Sequence, residues 1–227
     1  MNIELVVFDI AGTTVKDDNE VAKAFQNALK KFGHPLSFEE INPFMGYEKH
    51  FAIREILKGS GKGAETDPEL VHKIHEEFVR EMKAFYSASQ TISPLPDVES
   101  TMKTLHDMGV KIAINTGFSR EIADIIVQKL GWFEKGYIDF MIASDEVERG
   151  RPFPDMIFSL MKQAGVEDPR LVAKVGDTEV DINEGKNAGC RYVIGISTGS
   201  FTRSELEPYK PTHIIANLGE VVAILKT

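Results

Sequence analysis

The feature that most constrains the fold is a regular alternation of predicted helices and strands from Pro94 to the end of the chain. Strands that are joined through helices form right-handed βαβ units, so we expect these strands to lie parallel in one sheet. The chain is therefore predicted to be an α/β protein. The predicted helices are 97–108, 119–130, 155–164 and 180–188, and the predicted strands are 110–115, 137–142, 171–175, 192–196 and 213–216.

The first strand lies far upstream of this region and ends in a carboxylate. Its residues, 5–8, are four consecutive apolar side chains, which is typical of a strand buried on both faces. Asp9 follows where the strand stops, and Ala11, Gly12 and Thr13 are small residues whose backbone N–H groups can approach an anion closely. Ligands of open α/β sheets bind at this edge. The stretch predicts a phosphate-binding loop beside a possible nucleophile. Considered alone, the same residues would fit an aspartate that only caps a turn.

A helical segment separates the first strand from the alternating region. Helical spacing is evident over 20–32, 47–57 and 67–84, Ser37 and Glu40 have the spacing of a capping box, and a glycine-rich loop is predicted over 59–63. We therefore predict a core domain made of residues 1–14 and 94–227 and a helical cap domain made of residues 15–93. The two connections, near residues 14–18 and 90–96, are placed to let the cap close over a substrate.

Composition and charge exclude several classes of function. The formal net charge of −9, without any basic run, argues against a protein that binds nucleic acid or an anionic membrane. Cys190 is the only cysteine, which fits a reducing compartment, and no segment has the pattern of a signal peptide or a membrane span. We expect a cytoplasmic protein.

Three later strand ends carry polar groups that match the first. Thr116 and Gly117 follow the second strand and offer a hydroxyl and free backbone N–H groups. Arg151 lies in a loop stiffened by glycine and proline, and its planar guanidinium could pair two phosphoryl oxygens. Asp177 and Asp181 lie at a strand-to-helix turn and could hold a hard cation, directly or through water. Together with Asp9 these residues are the parts that phosphoryl transfer requires.

The chain resembles the haloacid dehalogenase (HAD) superfamily in all four of these motifs, in order, with a helical cap inserted after the first. The resemblance implies a Rossmann-like parallel-sheet core with an inserted all-helical cap domain of the C1 type. It also implies that Asp9 forms an aspartyl-phosphate, that Thr116 binds the phosphoryl group and that Arg151 stands where the family more often has lysine. Magnesium (Mg²⁺) would be held by Asp9, the Ala11 carbonyl, Asp177 and Asp181.

One departure from the superfamily changes the expected chemistry. Most phosphatases of the superfamily carry a second aspartate two residues after the nucleophile, and here that position is Ala11, which cannot transfer protons. The runs D-x-A-G-T-T, T-G-F-S-R and G-R-P-x-P are instead similar to the phosphonatase (phosphonoacetaldehyde hydrolase) family, whose cap motif M-G-x-x-K matches Met45, Gly46 and Lys49. That resemblance implies that Lys49 forms a Schiff base with the substrate aldehyde, so that the leaving carbon departs as an enamine.

Two positions depart from the phosphonatase pattern. The histidine usually found three residues after the lysine is Ala52, and His50 lies beside Lys49 instead. A cysteine expected early in the cap is missing, with Asn19 near its place. Adjacent residues of a helix face different directions, so we do not expect His50 to replace the missing histidine. A phosphonatase-like branch with a related substrate is the resulting interpretation.

Three hypotheses follow for the function. The first is a magnesium-dependent hydrolase that cleaves the carbon–phosphorus bond of phosphonoacetaldehyde or a related small phosphonate. The second is a phosphatase for a small phosphomonoester such as phosphoglycolate, and the third is a non-catalytic protein that binds a phosphometabolite. Apolar faces of the cap helices, such as that of helix 20–32, either pair two subunits as a homodimer or form the core of the cap.

Overall fold

The computed structural model describes residues 2–59, 67–89 and 91–226. Within them the sheet has six strands in the order β3-β2-β1-β4-β5-β6, and all neighbouring strands are parallel. The parallel α/β sheet predicted from the alternation is thus confirmed. The strands are β1 (Leu5–Phe8), β2 (Lys111–Thr116), β3 (Phe140–Ala143), β4 (Val172–Gly176), β5 (Tyr192–Ile196) and β6 (His213–Ile215).

The helices fall into two groups along the chain. Between β1 and Pro94 lie α1 (Glu20–Lys31), α2 (Phe38–Ile41), α3 (Lys49–Gly59) and α4 (Pro68–Ala88). The remaining helices precede, connect and follow the later strands as the alternation requires. They are α5 (Val98–Asp107), α6 (Arg120–Leu130), α7 (Asp155–Ala164), α8 (Glu179–Ala188), α9 (Arg203–Leu206) and α10 (Glu220–Leu225).

Strand β1 lies in the middle of the sheet and contributes to the core on both sides. Because side chains alternate along a strand, Val6 and Phe8 pack into the apolar cluster on one face, while Leu5 and Val7 pack into the cluster on the other. All four are fully buried. The position between β2 and β4 places the end of β1 directly between two other strand ends.

Three predicted boundaries differ from the structure. The strand predicted over 137–142 is Phe140–Ala143, because Gly136 has φ +67° and the Tyr137 N–H bonds the Trp132 carbonyl, which keeps this stretch in the turn after α6. The helix predicted from residue 47 begins at Lys49, and α4 runs to Ala88 rather than to about residue 84. From residue 60 onward, the predicted glycine-rich loop lies outside the described residues.

Helices α1 to α4 form what we call the helical insert. Its two connections to the sheet run side by side, since Val15 and Pro94 form an isolated antiparallel bridge and the Lys16 N–H donates to the Ser93 carbonyl. One continuous apolar cluster includes Phe25 and Phe78 of the insert together with residues of α5 and α6. The division into core and cap domains at residues 15 and 93 stays a prediction.

The apolar face of α1 is covered within this chain. Val21, Phe25, Ala28 and Leu29 are all buried in that cluster. Of the two alternatives for this face, the insert's own core accounts for it, and the homodimer stays a prediction. Among the described residues, no helix combines the length and the apolar character that crossing a bilayer requires.

Candidate active site

The predicted site residues at the strand ends come together at one edge of the sheet. Phe8, the last residue of β1, lies opposite Ile114 of β2 on one side and Val175 of β4 on the other. Asp9 therefore emerges between Thr116, which ends β2, and Asp177, which follows β4. Because carboxyl ends of parallel strands share one edge, this grouping follows directly from the strand order.

A small cavity lies between this edge and the helical insert. Its volume is about 340 Å³, counting the part open to solvent. Eight of the predicted site residues line this cavity, five at the sheet edge and three in the insert. These lining residues are Asp9, Ala11, Thr116, Gly117 and Asp177 from the sheet edge and Met45, Gly46 and Lys49 from the insert.

Lys49 is the first residue of α3, and its side chain is only 4% exposed. Its Nζ donates to the Tyr47 carbonyl at 3.0 Å and lies 5.6 Å from the ring centre of Phe25 and 5.4 Å from that of Phe118. Burial lowers the pKa of Lys49 to about 8, with the charge of Arg151 acting in the same direction and that of Asp9 opposing it. An amine of this kind is partly neutral near physiological pH and can act as a nucleophile.

The insert is packed tightly onto the strand-end loops through glycine. A Cβ on Gly46, which has φ +83°, would overlap Thr178 Oγ1 and would lie 2.6 Å from Val180 Cγ2. A Cβ on Gly117 would lie 2.8 Å from the Gly46 carbonyl oxygen. The Tyr47 hydroxyl adds a hydrogen bond of 2.7 Å to Glu179. The insert is thus closed over the cavity, and only glycine fits at these two contacts.

Arg151 lies behind the cavity rather than in its lining. Its Nη1 donates to Asp9 Oδ1 at 2.7 Å and lies 3.0 Å from Asp181 Oδ1, and its Nη2 donates to the backbone carbonyl and the side-chain oxygen of Asn115. Nε lies 3.2 Å from a carboxylate oxygen of Glu184. Both terminal nitrogens of the guanidinium donate to protein groups, so in this structure Arg151 orients the Asp9 carboxylate instead of presenting two free N–H groups to a phosphoryl group.

Lys174 and Glu184, which were not predicted from the sequence, complete this buried network. Lys174 Nζ donates to Asn115 Oδ1 at 2.7 Å and lies 2.9 Å from Asp181 Oδ1. Glu184 accepts two hydrogen bonds from the Asn115 amide. Two signals were available: a lysine in the middle of an apolar strand, and a glutamate one helical turn after Asp181 on α8.

The network carries more negative than positive charge. Asp9, Asp177, Asp181 and Glu184 are four buried carboxylates, and Arg151 and Lys174 are the two cations buried among them. Burial raises the pKa of Asp9 and of Glu184, and Arg151 and Lys174 only partly offset this effect. Burial raises the pKa of Asp177 most strongly, and repulsion from Asp9 and Asp181 adds to it. An excess of two buried carboxylates matches the charge of a divalent cation.

The donor atoms around Asp177 fit magnesium better than those around Asp181. Asp177 is 2% exposed, accepts hydrogen bonds from Thr13 Oγ1 and the Ser200 N–H, and has no cationic partner within salt-bridge distance among the described residues. A Cβ on Gly12 would lie 2.6 Å from Asp177 Oδ2, so backbone is packed close against this carboxylate. With Asp9 and the Ala11 carbonyl, Asp177 could hold a magnesium ion that keeps several waters.

Asp181 is engaged elsewhere. Its Oδ2 accepts hydrogen bonds from the N–H and the hydroxyl of Thr178, and its Oδ1 faces Arg151 and Lys174. Burial alone would raise the pKa of Asp181, but the two cations outweigh it and hold the pKa low. Over the described part of the chain, no three acidic, histidine or cysteine side chains form a ready metal cluster. Asp181 as a metal ligand stays a prediction, and water would have to mediate it in this arrangement.

The positions that depart from the phosphonatase pattern do not contribute to the cavity. Ala52 is fully buried, and Asn19 is exposed at the start of α1. His50 bonds Glu48, and its ring stacks on His75 with a centroid distance of 3.7 Å. His50 therefore does not take the place of the missing histidine, as its position next to Lys49 predicted.

Asp17 also lines the cavity, although it was not predicted from the sequence. Its carboxylate accepts the N–H of Glu20 at 2.7 Å and that of Val21 at 3.3 Å, at the first turn of α1. The cavity lining is completed by Asp17, Val21, Phe118, Thr178 and Ser200. An aspartate just before a helix is usually a cap, and nothing in the local pattern distinguishes one that also faces a cavity.

Asp177→Asn tests the excess of negative charge. Without magnesium, the variant should be as stable as the parent chain or more stable, because it removes a buried carboxylate that Asp9 and Asp181 repel. Adding Mg²⁺ should stabilise the parent by about 2.7 kcal/mol at a hundredfold excess over the dissociation constant, and should stabilise Asp177→Asn far less. Thermal unfolding with and without MgCl₂ measures both effects.

Asp145→Asn is the matched control, since Asp145 is an exposed carboxylate in another strand-end loop. It should respond to magnesium as the parent does. Equal magnesium shifts in the parent and in Asp177→Asn would contradict the assignment of Asp177.

Gly46→Ala tests the closed packing of the insert. The added Cβ should keep the insert from seating on Thr178 and Val180, and should expose the Lys49 amine. Acetylation of Lys49 by acetic anhydride, followed by mass spectrometry, should be faster than in the parent. Gly33→Ala has the same φ of +83° but meets no atom within 4 Å, so it controls for backbone strain and should leave Lys49 protected. Equal protection in both variants would argue against the contact.

Comparison with known proteins agrees with this geometry. A model of the haloacid dehalogenase-like hydrolase family matches residues 6–194. The chain is 32% identical to phosphonoacetaldehyde hydrolase of Bacillus cereus (strain B4264), over 91% of this chain and 82% of the relative, and 31% identical to that of Bacillus anthracis, over 94% and 84%.

Two solved structures share the fold at low sequence identity. A phosphonoacetaldehyde hydrolase-like protein from Oleispira antarctica matches with a TM-score of 0.87 at 22% identity, covering 100% of this chain and 92% of that one. A putative phosphoglycolate phosphatase from Lactobacillus delbrueckii subsp. bulgaricus matches with a TM-score of 0.80 at 22% identity, covering 99% of each chain. The family match and the curated relatives together show that this chain is a hydrolase of the haloacid dehalogenase-like family and is similar to the phosphonatases within it.

Proposed function

We propose that this hydrolase cleaves the carbon–phosphorus bond of phosphonoacetaldehyde or of a closely related small phosphonate with a carbonyl group. The observation that carries the proposal is the buried Lys49 amine, with its pKa lowered to about 8, in the same cavity as Asp9. The similarity to phosphonoacetaldehyde hydrolases supports the same substrate class.

One side of the cavity suits the phosphoryl group of such a substrate, and the other side suits its carbonyl group. Asp9, Thr116 and Asp177 belong to the phosphoryl side, and the Thr116 hydroxyl, which accepts the Phe118 N–H at 3.1 Å, keeps its own proton for donation to a phosphoryl oxygen. Lys49 belongs to the other side, beside the rings of Phe25 and Phe118. A substrate with a single carbon between its carbonyl group and phosphorus suits this small cavity.

The proposed reaction assigns a step to each group. The neutral Lys49 amine condenses with the substrate carbonyl, and water leaves. The Asp9 carboxylate, oriented by Arg151, attacks phosphorus, and the electrons of the carbon–phosphorus bond pass into the iminium as the carbon departs as an enamine. Water later hydrolyses the phosphoryl group from Asp9. When bound by Asp9, Asp177 and the Ala11 carbonyl, magnesium supplies positive charge for the phosphoryl oxygens.

A phosphomonoesterase fits the site less well. Ester cleavage requires a proton for the leaving alcohol, and Ala11 occupies the position from which superfamily phosphatases supply it. The phosphatase-like solved structures share only the fold with this chain. A protein that only binds a phosphometabolite would not require a buried reactive amine in the same cavity as a nucleophilic carboxylate.

Lys49→Arg tests the imine. The substitution keeps the positive charge but removes the nucleophilic amine, so phosphate release from phosphonoacetaldehyde should fall by on the order of a hundredfold or more. Borohydride added during turnover should label Lys49 in the parent chain, as mass spectrometry would detect. Lys58→Arg, on the exposed side of the same helix, is the control and should retain activity.

The same assay separates the alternatives. Turnover of phosphoglycolate or other phosphomonoesters that survives Lys49→Arg would support a phosphatase and reject the imine. Binding of phosphate analogues without turnover of any phosphonate or ester would support a phosphometabolite-binding protein.

The lowered pKa of Lys49 predicts the pH dependence of labelling. Deprotonation produces the reactive form, so the initial rate of borohydride labelling should rise with pH and level off above about pH 8. At pH 7 about one amine in ten would be neutral, against about one in three thousand for a lysine at the ordinary value of 10.5. A rate that continues to rise in parallel with free lysine up to pH 10 would contradict the assignment.

A further inference from the structure

We propose that Asp17 is the proton donor for imine formation at Lys49 and the proton acceptor when the imine is hydrolysed. This role rests on the proposed function, because it concerns the same amine and the same cavity. Carbinolamine dehydration at Lys49 requires an acid near the amine. Ala11, Ala52 and His50 do not supply one.

The contacts of Asp17 leave one carboxylate oxygen available. Oδ1 accepts the backbone N–H groups of Glu20 and Val21, which orients the side chain at the start of α1. Over the described residues, no hydrogen bond or ion pair to Oδ2 is found, and none joins Asp17 to Lys49, although both side chains line the cavity. The carboxyl group and the amine therefore do not bond to each other, while both line the same cavity.

Among the described residues that line the cavity, no other acid can serve the Lys49 side. The titratable side chains of its lining are Asp9, Asp17, Lys49 and Asp177. Asp9 faces Arg151 and Asp177 faces Thr13 and Ser200, so both belong to the phosphoryl side. The hydroxyls of the lining are too weakly acidic to protonate a departing hydroxide near neutral pH.

Burial makes Asp17 easier to protonate than an exposed aspartate. Burial raises the pKa of Asp17, and the charges of Glu20 and Asp18 act in the same direction, while the two backbone N–H donors oppose them. The other charged or titratable groups that face it are Lys49 of α3, Tyr86 of α4 and Lys23 of α1. Both shifts move the pKa toward the operating pH, where a group exchanges protons most efficiently.

The proton balance closes over the two imine steps. Lys49 nitrogen bonds to the carbonyl carbon and one of its protons passes to the carbonyl oxygen, which gives a carbinolamine. The Asp17 carboxyl group then protonates that hydroxyl, water leaves, and an iminium faces the Asp17 carboxylate. After the carbon–phosphorus bond breaks, the enamine carbon takes a proton from solvent and an iminium forms again; hydrolysis of the phosphoryl group on Asp9 later returns one proton to solvent. Water then adds to the iminium carbon, the Asp17 carboxylate takes a proton from that water, and collapse of the carbinolamine releases the product aldehyde and the Lys49 amine.

Trapping in an Asp9→Asn background tests this role without any cleavage at phosphorus. The rate at which borohydride labels Lys49 in the presence of phosphonoacetaldehyde should fall by on the order of a hundredfold or more in Asp17→Asn at pH 7. Asparagine keeps an oxygen for the Glu20 and Val21 N–H groups, so the melting temperature should change little. Asp18→Asn changes an exposed neighbour that pairs with Lys16, and Lys49 in this variant should be labelled as fast as in the Asp9→Asn chain with Asp17 intact.

The direction in which the labelling rate changes in Asp17→Asn distinguishes proton transfer from a purely electrostatic effect of the Asp17 charge. The Asp17 charge raises the pKa of Lys49, so an electrostatic role alone would make labelling faster in Asp17→Asn. Added formate should restore part of the rate in Asp17→Asn and in no other variant, which a structural defect would not allow. Unchanged or faster labelling in Asp17→Asn would overturn the role of Asp17 alone. Absence of Lys49 labelling in the Asp17-containing chain would overturn the proposed function and this role with it.

Discussion

The structure of the site depends on the buried contact between Arg151 and Asp9. Nη1 of Arg151 lies 2.7 Å from Asp9 and 3.0 Å from Asp181, and all three side chains are almost completely removed from solvent. Such a pair is tolerated only when its remaining donors and acceptors are satisfied, and removal of one partner typically costs about 3–5 kcal/mol. Asn115, Lys174 and Glu184 satisfy most of them. The network therefore holds the end of β1, the end of β2, strand β4 and helix α8 in one arrangement.

The same network determines how the two ends of the cavity differ. On the sheet side, charges and hydrogen bonds surround Asp9, and no cation of the described residues pairs with Asp177. On the insert side, Met45, Phe25 and Phe118 are apolar neighbours, and their exclusion of water lowers the pKa of Lys49. The Asp9 carboxylate and an amine with a lowered pKa thus lie in one small space because their surroundings differ in polarity. The close fit of Gly46 against Thr178 and Val180 closes the insert over this space.

Much of this could be predicted from the sequence because it depends on neighbouring residues. The apolar run before Asp9, the alternation after Pro94 and the capping box at Ser37 are local patterns, and the structure has a strand, a parallel α/β sheet and a capped helix at these places. The prediction was wrong where the chain turns. Residues 137–139 have a strand-like composition, but the left-handed Gly136 and the hydrogen bond from Tyr137 to Trp132 keep them out of the sheet. Asp17 was missed because a helix cap and a cavity-facing acid have the same local pattern.

The sequence by itself determined the fold class, the family and the set of polar residues at the strand ends, because each of these follows from local spacing and residue type. Only the tertiary structure decided which of those residues face the cavity. It turned Arg151 and Asp181 toward each other and toward Lys174, it buried the Lys49 amine between two aromatic rings, and it brought Asp17 to the same cavity. Burial and charge balance arise between residues that are distant along the chain, as Lys49 and Asp177 are, so no local pattern contains them.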